Sequence, residues 1–276
     1  MTLPNSEYPA GLNHNQLLAH MRAGELEHLY VLGNHATARH VDWIAGSGLF
    51  QSLWFDLEHF DLSTDLLATL NLVARAHPVT TIARLHVADY QTAVRTLETG
   101  IGGLMCAMVD TPQQAASIVE WSKFQNPQPA PGEVNGLRGW NSGGIDGRYG
   151  TIPPLDYVAH QNRETAILCQ IETEEGLVNA AAIAAVPGVD GLFFGPGDFA
   201  HRLGKPGQIG DPLIFAAMEK ISEACRSTGK FWGTLGIGRE NYQRVRSLGA
   251  QLICPGGDVR VMNLGLKELV RTFTEE

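Results

Sequence analysis

Two acidic residues, Glu172 and Asp198, each follow a run of apolar residues and carry oxygen atoms suited to binding a metal. If the two runs are neighbouring parallel strands, both carboxylates meet at one edge of the sheet and supply two hard ligands to Mg²⁺ or Mn²⁺. Two protein ligands leave coordination positions for water and substrate, as a catalytic site requires. The spacing equally allows each carboxylate to cap the next helix or to pair with an arginine. Zinc fits less well, because the sequence has no HxxxH or HExxH pair.

A cation and a base follow two other apolar runs. Arg84 ends a run of Val, Thr, Ile and Ala, where a buried guanidinium needs an anionic partner. That partner is either a structural carboxylate, Asp56 or Glu58, or a carboxylate or developing enolate oxygen of a substrate. His59 is the one histidine that directly follows an apolar run within a cluster of acids, and an imidazole suits general acid–base catalysis near neutral pH. A purely structural histidine is the alternative.

Two glycine-containing turns are candidates for anion binding. Gly195-Pro196-Gly197 exposes backbone N–H groups just before a helical pattern, which suits a small carboxylate, although a plain tight turn has the same sequence. Cys254-Pro255-Gly256-Gly257-Asp258 follows the last apolar run, where barrels of alternating strands and helices often bind phosphate. No second glycine-rich loop follows the seventh run, so the phosphate reading is the weaker one.

Other kinds of nucleophilic chemistry are disfavoured by what the sequence lacks. None of the five lysines lies within an apolar run or directly behind one, so a Schiff-base mechanism has no obvious amine. No GxSxG motif or plausible Cys-His pair indicates acyl transfer. The four cysteines, Cys106, Cys169, Cys225 and Cys254, form no CxxC spacing and are predicted to be buried structural thiols.

The elements that must position these residues are short strands alternating with helices. Apolar runs typical of fully buried parallel strands lie at 29–33, 53–57, 80–85, 103–108, 167–172, 191–196, 231–236 and 252–256. Amphipathic helices lie between them, with predicted buried faces formed by Leu66, Leu70, Val73 and Ala74 and by Ile214, Met218, Ile221 and Cys225. Thr111-Pro112 with Gln114, and Asp211-Pro212, are typical helix starts.

Eight strands alternating with helices in about 250 residues, preceded by a helical pattern at 15–25, predict a (β/α)8 TIM barrel. We expect residues 1–276 to form this one α/β domain. An open doubly wound sheet is the alternative, but no GxGxxG follows the first strand. Because TIM barrels carry their chemistry at the carboxyl ends of the strands, the polar residues named above are predicted to meet at the barrel mouth.

The segment 124–154 interrupts the pattern of strands and helices. It contains Pro127, Pro129 and Pro131 and a glycine cluster and has neither helical nor strand periodicity. A loop of this length is either a cover for the active site or a simple insertion. Arg138, Trp140 and Arg148 are therefore candidate substrate contacts.

Charge and hydropathy exclude several classes of function. The chain has 276 residues, 29 acidic and 20 basic, and a net charge of -9, so its field repels nucleic acids and anionic membranes. No apolar run reaches membrane-spanning length, and residues 1–11 lack the basic and apolar regions of a signal peptide. We expect a cytoplasmic protein whose partners are small molecules.

From residue 29 to the C-terminus the sequence resembles the HpcH/HpaI class II aldolases, which cleave 2-keto-3-deoxy sugar acids and related 4-hydroxy-2-oxoacids to pyruvate and an aldehyde. Six motifs in order carry the resemblance: Asp56-Leu57-Glu58-His59, Arg84, Met108-Val109-Asp110-Thr111, Gly136-Leu137-Arg138-Gly139, Gln170-Ile171-Glu172 and Gly195-Pro196-Gly197-Asp198-Phe199.

The resemblance implies a role for each residue of the predicted mouth. Glu172 and Asp198 would bind a divalent cation, Mg²⁺ or Mn²⁺ with Co²⁺ as a third option, which pyruvate chelates through its keto and carboxylate oxygens. Gln170 and the backbone at Gly197 and Asp198 would orient the acid. Arg84 would hold the keto oxygen and stabilise the enolate, and His59 would move a proton, through a water, between pyruvate and the aldehyde oxygen.

The resemblance also implies an assembly and one catalytic pair. The family includes hexamers in which the last helix packs on a neighbouring subunit, and Met262, Leu266, Leu269 and Val270 give this chain a suitable apolar face, so we expect a homo-oligomer, a hexamer or a trimer. Where the family places an aspartate that assists the histidine, this chain has Glu98.

Three functions follow for testing. The first is metal-dependent aldol cleavage of a 4-hydroxy-2-oxoacid through a pyruvate enolate. The second is a citryl- or malyl-CoA lyase, which needs a basic surface for the CoA phosphates and conflicts with the acidic balance. The third is a catalytically silent barrel that binds an acid.

Overall fold

The eight apolar runs form a closed parallel barrel. The computed structural model describes residues 14–274. Each strand pairs with the next one along the chain, and the eighth pairs with the first. The strands are β1 Glu27–Leu32, β2 Ser52–Asp56, β3 Thr80–Leu85, β4 Gly103–Cys106, β5 Ala166–Ile171, β6 Gly191–Phe194, β7 Phe231–Leu235 and β8 Leu252–Gly257. This is the predicted (β/α)8 barrel.

Helices surround the barrel, and both predicted helix starts, at Thr111-Pro112 and at Asp211-Pro212, are confirmed. They are α1 Gln16–Ala23, α2 Ala38–Gly46, α3 Thr64–Ala74, α4 Tyr90–Glu98, α5 Pro112–Ser122, α6 Pro154–Glu164, α7 Glu174–Ala184, α8 Pro196–Arg202, α9 Pro212–Thr228, α10 Arg239–Ser247 and α11 Asp258–Arg271. Thr111 and Gln114 form a complete capping box at α5, and Asp211 caps α9 through the N–H of Leu213.

The barrel interior is a packed core that is closed at its lower end by α1. Large side chains from every second strand position fill it, among them Trp54, Ile82 and Phe193. Leu17 and Leu18 of α1 join this same cluster at the end where the strands begin. Because α1 closes that end, the open mouth lies at the carboxyl ends of the strands, where the predicted site residues are.

Strand alternation explains why polar side chains reach the mouth from inside. Side chains two residues apart on a strand point to the same face. Trp54 and Ile82 point into the barrel, so Asp56 and Arg84 do so one layer higher, and these two residues are register partners. By the same rule Gln170 lies one layer above Leu168.

The long segment 124–153 is irregular apart from a short 3₁₀ turn at Arg148–Gly150. Its centre is held by a fully buried ion pair between Arg138 and Asp146, with 2.7 Å between Nη2 and Oδ2. Trp140 packs edge-on to the buried ring of Tyr157, with ring centroids 5.4 Å apart. The segment is therefore packed against α6 and is not an unanchored loop.

Several sequence expectations need adjustment or fall outside the described residues. Seven of the eight predicted strands have an end displaced by one or two residues, and the strand at 80–85 matches β3. β4 stops at Cys106, short of Met108, which has a positive φ of 59°. Residues 1–11 lie outside the part that the structure describes, and the single domain over 1–276 stays a prediction. Within residues 14–274 no helix combines the length and apolar character needed to cross a bilayer.

Candidate active site

Asp56 and Arg84 form a buried ion pair at the mouth of the barrel. The Arg84 Nε donates to Asp56 Oδ1 at 3.0 Å, and Nη2 donates to Oδ2, so the contact is bidentate. The guanidinium carbon also lies 4.7 Å from the ring centroid of Trp54. These contacts fix the plane and direction of the Arg84 guanidinium. Among the described residues, Arg84 is the only arginine that a strand brings to the mouth.

Glu58 is a second acid beside the same arginine. Its Oε2 lies 3.2 Å from Arg84 Nη1. The turn that carries Glu58 is ordered by Asp56, whose Oδ1 accepts the backbone N–H groups of Glu58 at 3.2 Å and of His59 at 3.4 Å. Asp56 therefore orients both Arg84 and the turn that follows β2.

His59 lies on the rim of the mouth and not inside it. Its side chain is 52% exposed, and Nε2 is 3.9 Å from Glu58 Oε2. The imidazole lines a groove between the barrel and the helices α3 and α4, together with His86 and Arg95. From this position Glu58 lies between the imidazole and Arg84, so a group deep in the mouth would be reached through an intermediary.

Glu172 directly follows β5, and its carboxylate is buried. Only 1% of the residue is exposed. Oε1 accepts the backbone N–H of Met108 at 2.9 Å, and Oε2 accepts a hydrogen bond from Gln170 Nε2. Burial raises the pKa of the Glu172 carboxyl, and the negative charges of Glu58 and Asp198 raise it further.

Asp198 lies half-buried in the first turn of α8, directly after the Gly195-Pro196-Gly197 turn. Gly195 is required there, because a Cβ at that position would lie 2.7 Å from Glu172 Oε2 and 3.1 Å from Gln170 Nε2. A Cβ at Gly197, by contrast, would have no neighbour within 4 Å. The turn thus brings Asp198 close to Glu172 while leaving the backbone at Gly197 open to a ligand.

The group formed by Glu172, Asp198 and Gln170 fits a hard cation with an acid ligand. Burial and two acidic neighbours destabilise the charged form of Glu172, and a nearby cation reverses that effect. Gln170 Oε1 is buried and has no hydrogen-bond partner within residues 14–274, as expected for an acceptor that contacts a bound ligand. In the same residues no group of three or more His, Cys, Asp or Glu side chains has metal-binding geometry, and Glu172 and Asp198 are a pair.

A cavity of about 570 Å³ opens over the barrel interior beside Arg84. Trp54 and Cys254 line its floor, and Asp56 and Arg84 line one wall. Glu172 and Asp198 are not among its lining residues, so the cavity extends from Arg84 away from the carboxylate pair. This volume suits a small organic substrate.

Glu98 is not part of this arrangement. It is the last residue of α4, a helix that starts near the mouth after β3 and ends where the chain turns into β4 at the opposite end of the barrel. Its surroundings are the loop at Gly144 and the ring of Tyr157. The structure therefore does not bring Glu98 to His59, and the expected pairing has no support in the fold.

Of the loop candidates, Arg138 and Arg148 lie away from the mouth, and Trp140 packs on Tyr157 of α6. Arg138 is engaged by Asp146, and Arg148 lines a small cavity with Gly102, which precedes β4 at the lower end of the barrel. The sequence does not indicate which end of the barrel a long irregular segment covers, so it could not place these residues.

The last strand end does not offer a phosphate site. The carboxylate of Asp258 occupies the N-terminus of α11, where Oδ2 accepts the N–H groups of Gly33 at 3.0 Å and His35 at 2.7 Å. A phosphate there would be repelled by this buried charge. The four cysteines are all buried as predicted. Burial raises the pKa of each thiol, that of Cys254 to about 12, which disfavours the reactive thiolate.

Comparison with known proteins decides the family. The sequence profile of the HpcH/HpaI aldolase/citrate lyase family matches residues 29–263. A hydroxypyruvate/pyruvate aldolase of Deinococcus radiodurans is 33% identical over 234 residues, which are 84% of this chain and 80% of that protein. The chain belongs to the HpcH/HpaI aldolase/citrate lyase family.

Further relatives agree with this assignment. A 5-keto-4-deoxy-D-glucarate aldolase of Klebsiella pneumoniae is 29% identical over 230 residues, covering 83% of this chain and 86% of that protein. The crystal structure of an HpcH/HpaI family protein from Burkholderia cenocepacia superposes with a TM-score of 0.85 at 26% identity and covers 94% of this chain and 98% of that chain. As a member of the family the protein is an aldolase, a carbon–carbon lyase, and class II aldolases of this family are metal-dependent.

Two acids of this aldolase were not assigned a site role from the sequence. The sequence indicates Asp56 and Glu58 only as structural partners of Arg84, whereas in the structure they order the mouth around it. The signal that identifies them is their place directly at and after the end of a buried strand, which is the same signal that identified Glu172.

Proposed function

We propose that this aldolase catalyses reversible cleavage of a 4-hydroxy-2-oxoacid, of the 2-keto-3-deoxy acid type, to pyruvate and an aldehyde. The observation that carries the proposal is the meeting at one barrel mouth of a fixed guanidinium, Arg84, with the desolvated carboxylate of Glu172 and its neighbour Asp198. Cleavage of the C3–C4 bond leaves two electrons on pyruvate as an enolate, and positive charge beside its oxygen lowers that barrier.

The residues that would hold the cation are Glu172 and Asp198. Mg²⁺ and Mn²⁺ suit two carboxylates with open positions, and Co²⁺ is a third option. Bound there, the cation supplies Lewis-acid stabilisation of negative charge on the substrate oxygens. The names of the two relatives, a hydroxypyruvate/pyruvate aldolase and a 5-keto-4-deoxy-D-glucarate aldolase, support an oxoacid as the substrate.

The chain's own residues bind and orient the oxoacid. The open backbone at Gly197 and Asp198 donates to its carboxylate. Gln170 holds Glu172 in place through its Nε2, and its Oε1 accepts a hydrogen bond from a protonated group of the bound ligand. Arg84 donates to the keto oxygen, and its bidentate contact with Asp56 keeps the guanidinium in place as that oxygen gains charge.

His59 moves the proton in this proposal. The C4 hydroxyl must lose a proton when the bond breaks, and the C3 carbon of the enolate must gain one. From the rim, where its Nε2 lies 3.9 Å from Glu58 Oε2, His59 would relay the proton to the centre of the mouth through a water. Glu98 has no role in the proposal.

The direct experiment is an assay for pyruvate release coupled to lactate dehydrogenase. A panel of 4-hydroxy-2-oxoacids is tested before and after treatment with EDTA and after restoring Mg²⁺ or Mn²⁺. The proposal expects pyruvate from at least one acid, loss of the rate on chelation, and its return with metal. No release from any member of the panel, or release that ignores the chelator, refutes it.

We also propose that the enzyme works as a homo-oligomer, a hexamer or a trimer, through α11. Its apolar stripe is exposed over 45–61% of each residue and consists of Met262, Leu266, Leu269 and Val270. Burial of this stripe against a second subunit removes apolar surface from water and favours association. Sedimentation of the intact chain measures the assembly, and a monomer at micromolar concentration contradicts this part. The cytoplasmic location stays a prediction.

A further inference from the structure

Met108, which follows β4 at the mouth of the barrel, has a left-handed backbone with a φ of 59°. A residue with a Cβ rarely adopts this conformation, because the Cβ crowds the neighbouring carbonyl oxygen, whereas glycine adopts it freely. Within residues 14–274 the other non-glycine residues with a positive φ are Arg148 and Tyr149, both in the 3₁₀ turn of the long segment. The mouth therefore keeps a strained residue where glycine would relieve the strain.

The turn at Met108 aims its backbone N–H at Glu172. The N–H of Ala107 donates to a carbonyl of β3 at 2.9 Å, and the N–H of Val109 donates to a carbonyl of β5 at 3.2 Å. Between them, the N–H of Met108 donates to Glu172 Oε1 at 2.9 Å. Since Glu172 is buried, this contact replaces part of the hydration that its carboxylate has lost. The left-handed backbone thus fixes the position of Oε1.

The side chain of Met108 contacts the helix that carries Asp198. Its Sδ accepts a hydrogen bond from Arg202 Nη2 at 3.3 Å. Arg202 is the last residue of α8, and Asp198 lies in the first turn of the same helix. A thioether is a weak acceptor but packs well against irregular surfaces, so the contact holds α8 mainly by packing. Met108 is therefore in contact both with Glu172 and with the helix of Asp198.

These two contacts matter because Glu172 and Asp198 must meet around one cation. Two carboxylates repel each other before a cation binds, so the chain has to hold them together by other contacts. A site whose ligands are already in place loses less conformational entropy when the cation binds. By restraining Glu172 directly and Asp198 through α8, Met108 lowers that cost.

We propose that Met108 is a positioning residue, whose strained backbone and side chain place Glu172 and Asp198 before a cation binds. The inference rests on the proposed function, since it concerns the cation site that this function needs. Met108 acts through Glu172 and α8 and does not contact the substrate in this account. Its strain lowers the stability of the metal-free chain and raises the affinity for the metal.

The test measures the Mn²⁺ affinity of three variants by calorimetry. Met108→Leu keeps the Cβ and the size of the side chain, so it should bind Mn²⁺ within about twofold of the wild type. Met108→Ala keeps the Cβ but loses the contact with α8, and we expect binding about threefold weaker. Met108→Gly also frees the N–H from its fixed direction, and we expect binding about tenfold weaker.

Urea unfolding of the metal-free variants separates positioning from ordinary packing. Glycine adopts the left-handed backbone without strain, and alanine does not. Met108→Gly should therefore unfold at a higher urea concentration than Met108→Ala, although it binds Mn²⁺ more weakly. A residue that only packs would lose stability and affinity in the same order.

Tyr149 provides the matched control. It has a φ of 57°, its side chain is 68% exposed, and it follows Arg148, which lines the small cavity at the lower end of the barrel. Tyr149→Gly should likewise be more stable than Tyr149→Ala, whereas both should bind Mn²⁺ as the wild type does. Weaker Mn²⁺ binding in Tyr149→Gly would overturn the claim that the effect belongs to Met108.

The outcomes separate this inference from the proposed function. A wild-type chain that does not bind Mn²⁺, or that binds it equally well after Glu172→Gln, refutes the cation site and with it the proposed function. If the wild type binds Mn²⁺ through Glu172, wild-type affinity in Met108→Ala and Met108→Gly overturns the positioning role. A glycine variant less stable than the alanine variant overturns the role of strain. If the glycine variant does not fold, wild-type affinity in Met108→Ala overturns the inference by itself.

Discussion

Replacing Asp56 by Asn tests how strongly the mouth depends on its buried ion pair. The exposed fractions of the two side chains are 9% for Arg84 and 4% for Asp56, so little water screens the pair. Asn keeps the size of the side chain but removes the charge and one acceptor. Arg84 then retains only Glu58, at 3.2 Å, as an acidic partner.

The expected cost follows from these contacts. Removing one partner of a buried pair usually destabilises a protein by about 3–5 kcal/mol, because the other charge is left without compensation. Glu58 supplies part of that compensation, so we expect Asp56→Asn to lower the free energy of unfolding by about 2–3 kcal/mol. Asp42→Asn is the matched control: its carboxylate is 66% exposed and pairs with His77 at 2.8 Å, so the cost there should stay below about 1 kcal/mol.

Urea unfolding of four proteins completes the measurement. They are the wild type, Asp56→Asn, Arg84→Met and the double variant, arranged as a double-mutant cycle. Because the double variant removes both charges of the Asp56–Arg84 pair, it should be more stable than the sum of the single losses predicts, by about 1–2 kcal/mol. A cost for Asp56→Asn no larger than that of Asp42→Asn, or strict additivity, would refute the reasoning about this pair.

Three further predictions address other parts of the molecule. Gly195→Ala should weaken Mn²⁺ binding measured by calorimetry, because its Cβ would lie 2.7 Å from Glu172 Oε2, whereas Gly197→Ala, with no atom within 4 Å, should bind Mn²⁺ normally. Burial lowers the pKa of His160 from 6.5 to about 4. Between pH 6.5 and 4 the unfolded chain binds a proton at His160 that the folded chain does not bind, so the free energy of unfolding falls as the pH drops, by about 2 kcal/mol at pH 5. Urea titrations of the wild type and of His160→Asn at pH 7 and pH 5 should show this loss only in the wild type. Arg138→Met should lower the melting temperature by several degrees through the loss of a buried ion pair while kcat of the folded enzyme stays the same.

The architecture was predictable because it depends on patterns that recur along the chain. Each parallel strand is covered on both faces, so it appears as a short continuous apolar run, and eight such runs in this length leave few arrangements. On α9 the predicted face of Ile214, Met218, Ile221 and Cys225 is fully buried. On α3 the buried position is Leu67, and Leu66 is 36% exposed, because the predicted face was rotated by one residue.

The site was predictable where its residues lie at strand ends and not where they lie elsewhere. Glu172 and Arg84 reach the mouth because strand direction and alternation determine where they point. Glu98 lies on a helix whose ends face opposite ends of the barrel, and no local pattern reports which end it reaches. Lys267 lies far behind the last strand, and only the path of α11 brings it to the cavity.

Exchange of the pyruvate methyl protons with D₂O, followed by NMR, tests the central claim most directly. The claim is that Glu172 and Asp198 hold a divalent cation beside Arg84 and so allow pyruvate to form its enolate. We predict exchange in the wild type with Mn²⁺ or Mg²⁺, none after chelation, and none in Glu172→Gln with metal present. Exchange at an unchanged rate in Glu172→Gln, or after complete removal of metal, would contradict the account.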